Sequence, residues 1–127
     1  RMGIERYNLD IAARVEEGRT AANERMAAVF DQTDFVICAS NPDIAFPAHI
    51  ESNTRVSGKK APAGNNGALT IPANISGNPA ISVPAGLVDG MPVGVQIIGV
   101  QHSDRAILDL AYLWERHNPW PLTAPTS

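Results

Sequence analysis

The stretch Ala80-Ile81-Ser82-Val83-Pro84-Ala85-Gly86-Leu87-Val88-Asp89-Gly90-Met91-Pro92-Val93-Gly94-Val95-Gln96-Ile97-Ile98-Gly99 decides the fold of this chain. It reads as a β-hairpin. Residues 80–88 are an apolar run carrying Ile81, Val83, Leu87 and Val88, and residues 93–99 are a second. Asp89-Gly90 lies between them and tolerates the positive φ angles of a type I′ turn. In the second run Val93, Val95 and Ile97 share one face and Ile98 lies on the other. Apolar residues on both faces predict strands covered by protein on both sides. Gly94 and Gly99, inside or beside a strand, mark close backbone approach or a kink rather than chemistry.

Working outward, residues 34–39 (Asp-Phe-Val-Ile-Cys-Ala) are continuously apolar after the aspartate and β-rich. They predict a strand buried on both faces, in the centre of a parallel or mixed sheet. Upstream, residues 1–18 read as helical, with Ile4, Ile11, Ala12 and Val15 as a partial stripe. Asn8 caps a helix over 9–17, and Gly18 is its natural stop. Thr20 caps a second helix over 21–30, whose apolar face is Ala22, Met26, Val29 and Phe30. Residues 40–66 are long and irregular, a pattern that is functional or mobile more often than not. Residues 68–76 predict a short helix entered through Pro72 and closed by Gly77. Downstream, Ser103 or Asp104 caps a helix over 104–117 with Ile107, Leu110, Ala111 and Trp114 on its apolar face. Pro119 stops it, and residues 120–127 form a tail.

The 127 residues are one domain's worth of chain, with 44% apolar and 18% charged residues. No apolar run approaches the ~20 residues that a membrane helix needs. A net charge of −3 and a pI near 5.5 argue against a nucleic-acid surface. The single cysteine, Cys38, excludes an internal disulfide and suits a reducing compartment. Within its apolar run it reads as a buried, inert thiol.

A wider stretch, 72–99, resembles the C-terminal hallmark of the amidase signature family. The matching pieces are Pro72-Ala73-Asn74, Gly77-Asn78-Pro79-Ala80, Ile81-Ser82-Val83-Pro84, Gly86-Leu87, Asp89-Gly90-Met91-Pro92-Val93-Gly94 and Gln96-Ile97-Ile98-Gly99. That family includes broad amidases, fatty-acid amide hydrolases and the glutaminase subunits of tRNA-dependent amidotransferases. The fold expected is α/β. A mixed sheet of strands near 34–39, 80–88 and 93–99 is covered by helices near 9–17, 21–30 and 104–117. Residues 1–127 are expected to be a single segment, the C-terminal part of an amidase-signature domain.

The resemblance implies hydrolysis of a carboxamide C–N bond to acid and ammonia through a Ser–cis-Ser–Lys triad. The serine hydroxyl is a weak nucleophile until a base takes its proton. This chain lacks that machinery. Its only lysines are Lys59 and Lys60, adjacent in a polar loop, and no two of its serines are neighbours. By resemblance the triad lies upstream of Arg1, so no catalytic residue and no turnover are expected of this chain alone.

Pocket-wall residues are expected instead. The resemblance places Asn65, Asn66 and Gly67 beside the acyl pocket. Ile44, Ala45 and Phe46, after the buried strand, are the other wall candidates. Glutaminase members carry an aspartate near Gly67 to hold the substrate's α-amino group. The neutral residues here tilt the reading towards a broader amidase. Asn74 reads as a buried amide tying the end of the short helix to neighbouring backbone. His49, His102 and His117 lack metal-ligand spacing, so no metal is expected. Gly58-Lys59-Lys60 lacks the features of a phosphate loop and reads as a solvated basic tip. No cofactor is expected. The partner expected of the parent is a small-molecule amide, with no nucleic acid and no membrane, in the cytoplasm. The competing readings are a non-catalytic α/β association module and a piece of a glutamine amidotransferase. Open strand edges predict self-association of the chain.

Overall fold

Asn8 opens the first helix: its Oδ1 accepts the Ile11 backbone N–H at 3.0 Å. A computed structural model of the chain describes residues 8–62 and 64–121. The expected Ile4 end of the first stripe and most of the 120–127 tail lie outside them.

Helix α1 spans Leu9–Phe30 without a break. The expected division at Gly18 is therefore corrected. Gly18 does not take the positive φ of a helix stop. One interior glycine costs roughly 1 kcal/mol relative to alanine. The flanking Ala, Arg, Glu and Met residues are strong helix formers, and their run outweighs that cost. Thr20 is an interior residue, not a cap. None of the helix is fully buried. Ala21, Ala22, Met26 and Phe30 are half-buried, and α1 packs against the short helix α2, Ile71–Ser76.

The sheet is built from β1 (Phe35–Ala39), β4 (Ala80–Val88) and β5 (Met91–Gly99), in the order β1-β5-β4. The expected mixed sheet is antiparallel in every pairing among the described residues. Ile37 faces Ile97 and Ala39 faces Val95 across one ladder; Ile81 faces Ile97 and Val83 faces Val95 across the other. Val88 pairs with Met91, so Asp89 and Gly90 alone make the turn, with φ of 51° and 76°. Both angles are positive, as a type I′ turn requires. The register shifts between Pro84 and Leu87, where Gly86 has φ 109°. Pro84 is tolerated because β4 is an edge strand among the described residues, where a missing N–H costs no ladder bond.

Helix α3, Asp104–His117, lies across one face of the sheet. Val83, Ile97, Ile107 and Ala111 form the core there, with Phe35, Ile81, Val95, Leu110 and Trp114 packed around them. Trp114 Nε1 donates to the Pro84 carbonyl at 2.8 Å, fixing the helix to the edge strand. Ser103 is the N-cap residue of α3, but its side chain makes no capping bond; its hydroxyl donates back to the Val100 carbonyl at 2.7 Å. On the opposite face Gln96 and Ile98 are buried, and Gln96 Nε2 donates to the Leu69 carbonyl at 3.0 Å. Cys38 is half-buried rather than buried.

Coverage of both faces holds for β5 but not for its neighbours. Ile37 is 60% exposed and Leu87 62% exposed. The strand expected at the sheet's centre, β1, is an edge among the described residues. Among those residues its one strand neighbour is β5, and Ile37 of β1 meets solvent.

The 40–66 segment is more ordered than expected. A small hairpin pairs β2 (Arg55–Val56) with β3 (Lys59–Lys60), and a single 3-10 turn follows at Asn65–Gly67. Lys59 and Lys60 are exposed, as a solvated tip should be. Helix α2 starts at Ile71, with Pro72 in its first turn and Gly77, φ 68°, at its end.

Candidate functional site

A cavity of about 620 Å³ opens where the loop after β1 meets the bent end of the hairpin. The loop contributes Asn41, Asp43, Ile44 and Phe46 to it. The hairpin contributes Val88, Val93 and Val95. Asn53 and Asn66 close the side between them. Most of this wall is apolar, and three of its polar groups are neutral amides. Its carboxylate, Asp43, accepts the Ile44 backbone N–H at 2.9 Å.

The cavity exists because β5 outruns β1. Ser40 N–H donates to the Gly94 carbonyl at 2.9 Å, and pairing stops there. Beyond that bond the loop and the hairpin are no longer paired, and the register of β4 shifts between Pro84 and Leu87. A wedge of space remains between loop and hairpin.

Of the residues expected at a pocket wall, Ile44, Ala45, Phe46 and Asn66 line this cavity. Asn65 sits behind the wall, 7% exposed. Its Nδ2 donates to the carbonyls of Asn53 at 2.8 Å and Pro62 at 3.0 Å. Its Oδ1 is buried without a partner among the described residues. Gly67 is not part of the lining. A Cβ there would stand 2.9 Å from Ile71 Cδ1, so the Ile71 side chain fills the space a larger residue would need. Asn74 is exposed and not buried; its Nδ2 donates to the Thr70 carbonyl at 3.1 Å, inside its own helix. That is a local tie at the start of α2.

Asn41, Asp43, Val88 and Val93 also line the cavity without having been expected there, and of the missed residues Asn53 is the one with the least signal in the sequence. It lies in Glu51-Ser52-Asn53-Thr54, a polar stretch with no period and no motif. Val95 is a different case: the Ala39–Val95 register would have placed it beside the loop once the two strands were paired.

Among the described residues the cavity is lined by no serine, lysine or histidine. The Ser40 and Ser82 hydroxyls hydrogen-bond to each other above Gly94. Among the described residues no hydrogen bond joins either to a lysine or histidine. No group of three or more His, Cys, Asp or Glu residues that could hold a metal occurs among them. None of their helices is long and apolar enough to cross a membrane.

Comparison with known proteins gives this fold a family. The family model described as Amidase matches residues 5–108, and the chain belongs to that family. It is 37% identical over 108 residues to a glutamyl-tRNA(Gln) amidotransferase subunit of Latilactobacillus sakei, covering 85% of this chain and 21% of that protein. Among solved structures, a bacterial aryl acylamidase of the amidase signature family superposes with a TM-score of 0.81 at 27% identity. That superposition takes in 92% of this chain and 25% of the acylamidase. The corresponding glutamyl-tRNA(Gln) amidotransferase subunit of Thermotoga maritima gives a TM-score of 0.68 at 28% identity, over 91% of this chain and 26% of that one. The chain thus spans about a fifth of the length of the curated relatives it matches.

Proposed function

We propose that this chain forms one wall of the acyl pocket of an amidase. The whole enzyme would cleave a carboxamide to acid and ammonia through a serine nucleophile, a bridging serine and a lysine that these 127 residues do not carry. The observation behind this reading is the cavity: about 620 Å³, within the roughly 300–1,000 Å³ of small-molecule sites, on a chain of the amidase family. Ile44, Phe46 and Val95 would desolvate the acyl group. The amides of Asn41 and Asn66 would orient it without demanding a charge. Holding the acyl group still is a catalytic contribution in itself, because it removes orientational freedom before the hydroxyl attacks.

Substrate preference follows from the same wall. A free amino-acid amide such as glutamine carries an α-ammonium group that needs a carboxylate partner once it leaves water. Gly67 lies outside the lining and carries none, and the carboxylate in the wall, Asp43, already accepts the Ile44 backbone N–H at 2.9 Å. A neutral aryl or alkyl amide suits the wall better.

With benzamide as substrate, the purified chain is expected to release no ammonia above the buffer blank. Steady release that Ser40→Ala or Ser82→Ala abolishes would overturn the reading. A second reading, association without catalysis, is favoured by the exposed Ile37, Leu87, Leu108 and Tyr112. The two are compatible, and sedimentation velocity tests the second.

A further inference from the structure

We propose that Asn53 is the positioning residue of the cavity: it sets the separation of the two walls that carry Ile44 and Asn66. The proposal rests on the reading of the cavity as an acyl pocket. Asn53 Nδ2 donates to the Ile44 carbonyl at 3.0 Å. The Asn53 carbonyl accepts from Asn65 Nδ2 at 2.8 Å. One residue thus grips the loop after β1 with its side chain and the 3-10 turn with its backbone.

Each wall is ordered locally by its own bonds. Asp43 takes the Ile44 N–H, and the Asn65 carbonyl takes the Ala68 N–H at 2.9 Å. These bonds shape each wall but do not relate one to the other. Asn66 Nδ2 reaches the Glu51 carbonyl only at 3.5 Å, the weak limit of a hydrogen bond. The 2.8 and 3.0 Å bonds through Asn53 are the short ones that cross between walls.

The amide orientation is fixed by its partners. A carbonyl oxygen can only accept, so the Asn53 group facing Ile44 must be the NH₂. Asn65 uses both of its N–H donors, on Asn53 and Pro62, and is nine-tenths buried. It braces the Asn53 carbonyl and cannot easily swing away. Aspartate at position 53 would keep the shape and turn a donor into an acceptor facing an acceptor. Asn53→Asp therefore separates hydrogen bonding from packing, and Asn53→Gln retains the donor.

Two readouts on the whole chain test this. In hydrogen exchange, Asn53→Asp should speed the amides of residues 44–46 and 65–68 together by about fivefold, the value of one neutral hydrogen bond. The amides of 96–99 should be unchanged. In titration with benzamide, Asn53→Asp should weaken binding by about fivefold, and Asn53→Gln should recover part of it. A purely structural role would lower the melting temperature without changing benzamide affinity well below melting. Unchanged exchange in either wall, or unchanged benzamide affinity in Asn53→Asp, overturns the proposal. If the unsubstituted chain takes no benzamide, the acyl-pocket reading falls, and the exchange arm alone decides whether Asn53 ties the walls.

Discussion

Gly94 has no room for a side chain. A Cβ there would stand 2.7 Å from Ser40 Oγ and 2.8 Å from Ser82 Oγ, and those two hydroxyls already hold each other. Gly94→Ala should cost about 1–3 kcal/mol, the usual penalty of overpacking. Urea denaturation should show a lower midpoint with an unchanged slope. Adding Ser82→Ala should recover part of the loss, because the two sites share one contact. Full additivity would mean that the crowding lies elsewhere. This close approach was legible in the sequence, since glycine within an apolar strand has few other uses. Gly99 is the same case: its position is crowded by Ser103 Oγ and by Ile107 Cγ2 at 2.8 Å. Asn53 was not legible. Its role comes from partners 9 and 12 residues away, brought together by a loop that no periodicity describes.

Elements were legible where a pattern and its punctuation agreed. The Asp89-Gly90 turn has a composition that serves one purpose, and the runs on either side fixed the hairpin and the faces of Val95 and Ile97. Helix α3 was bounded by Ser103 and Pro119 and presents the expected apolar face. Helix α1 failed at Gly18 because a stop signal and an interior glycine look alike. Only the φ angle separates them. Gly18 has no neighbouring atom within 4 Å of an added Cβ and no positive φ. Gly18→Ala should therefore stabilise the chain by roughly 0.5–1 kcal/mol and raise its helical circular dichroism. A left-handed helix stop would give the opposite sign. The edge position of β1 was hidden for another reason. Apolar residues on both faces say that a strand asks to be covered, and they do not say by which residues.

At the scale of the molecule, the interior is small and its main cluster lies under α3, while Ile37, Leu87 and Leu108 remain more than half exposed. The superposed acylamidase is matched over a quarter of its chain, so this fold corresponds to part of a larger one there. An unpaired strand edge with an apolar face invites pairing with another chain. Sedimentation velocity should show concentration-dependent association of the chain. Ile37→Lys, a charge placed on that edge, should shift it towards monomer. A clean monomer before any substitution would remove the association reading and leave the cavity reading intact.

The cavity reading meets its most direct test in the amide spectrum of the chain titrated with benzamide. Affinity on the order of millimolar is expected for so small a ligand on an open wall. Saturable shifts are expected at Ile44, Phe46, Asn66 and Val95. An unmoved spectrum, or shifts confined to the α3 surface around Leu108 and Tyr112, would contradict that reading.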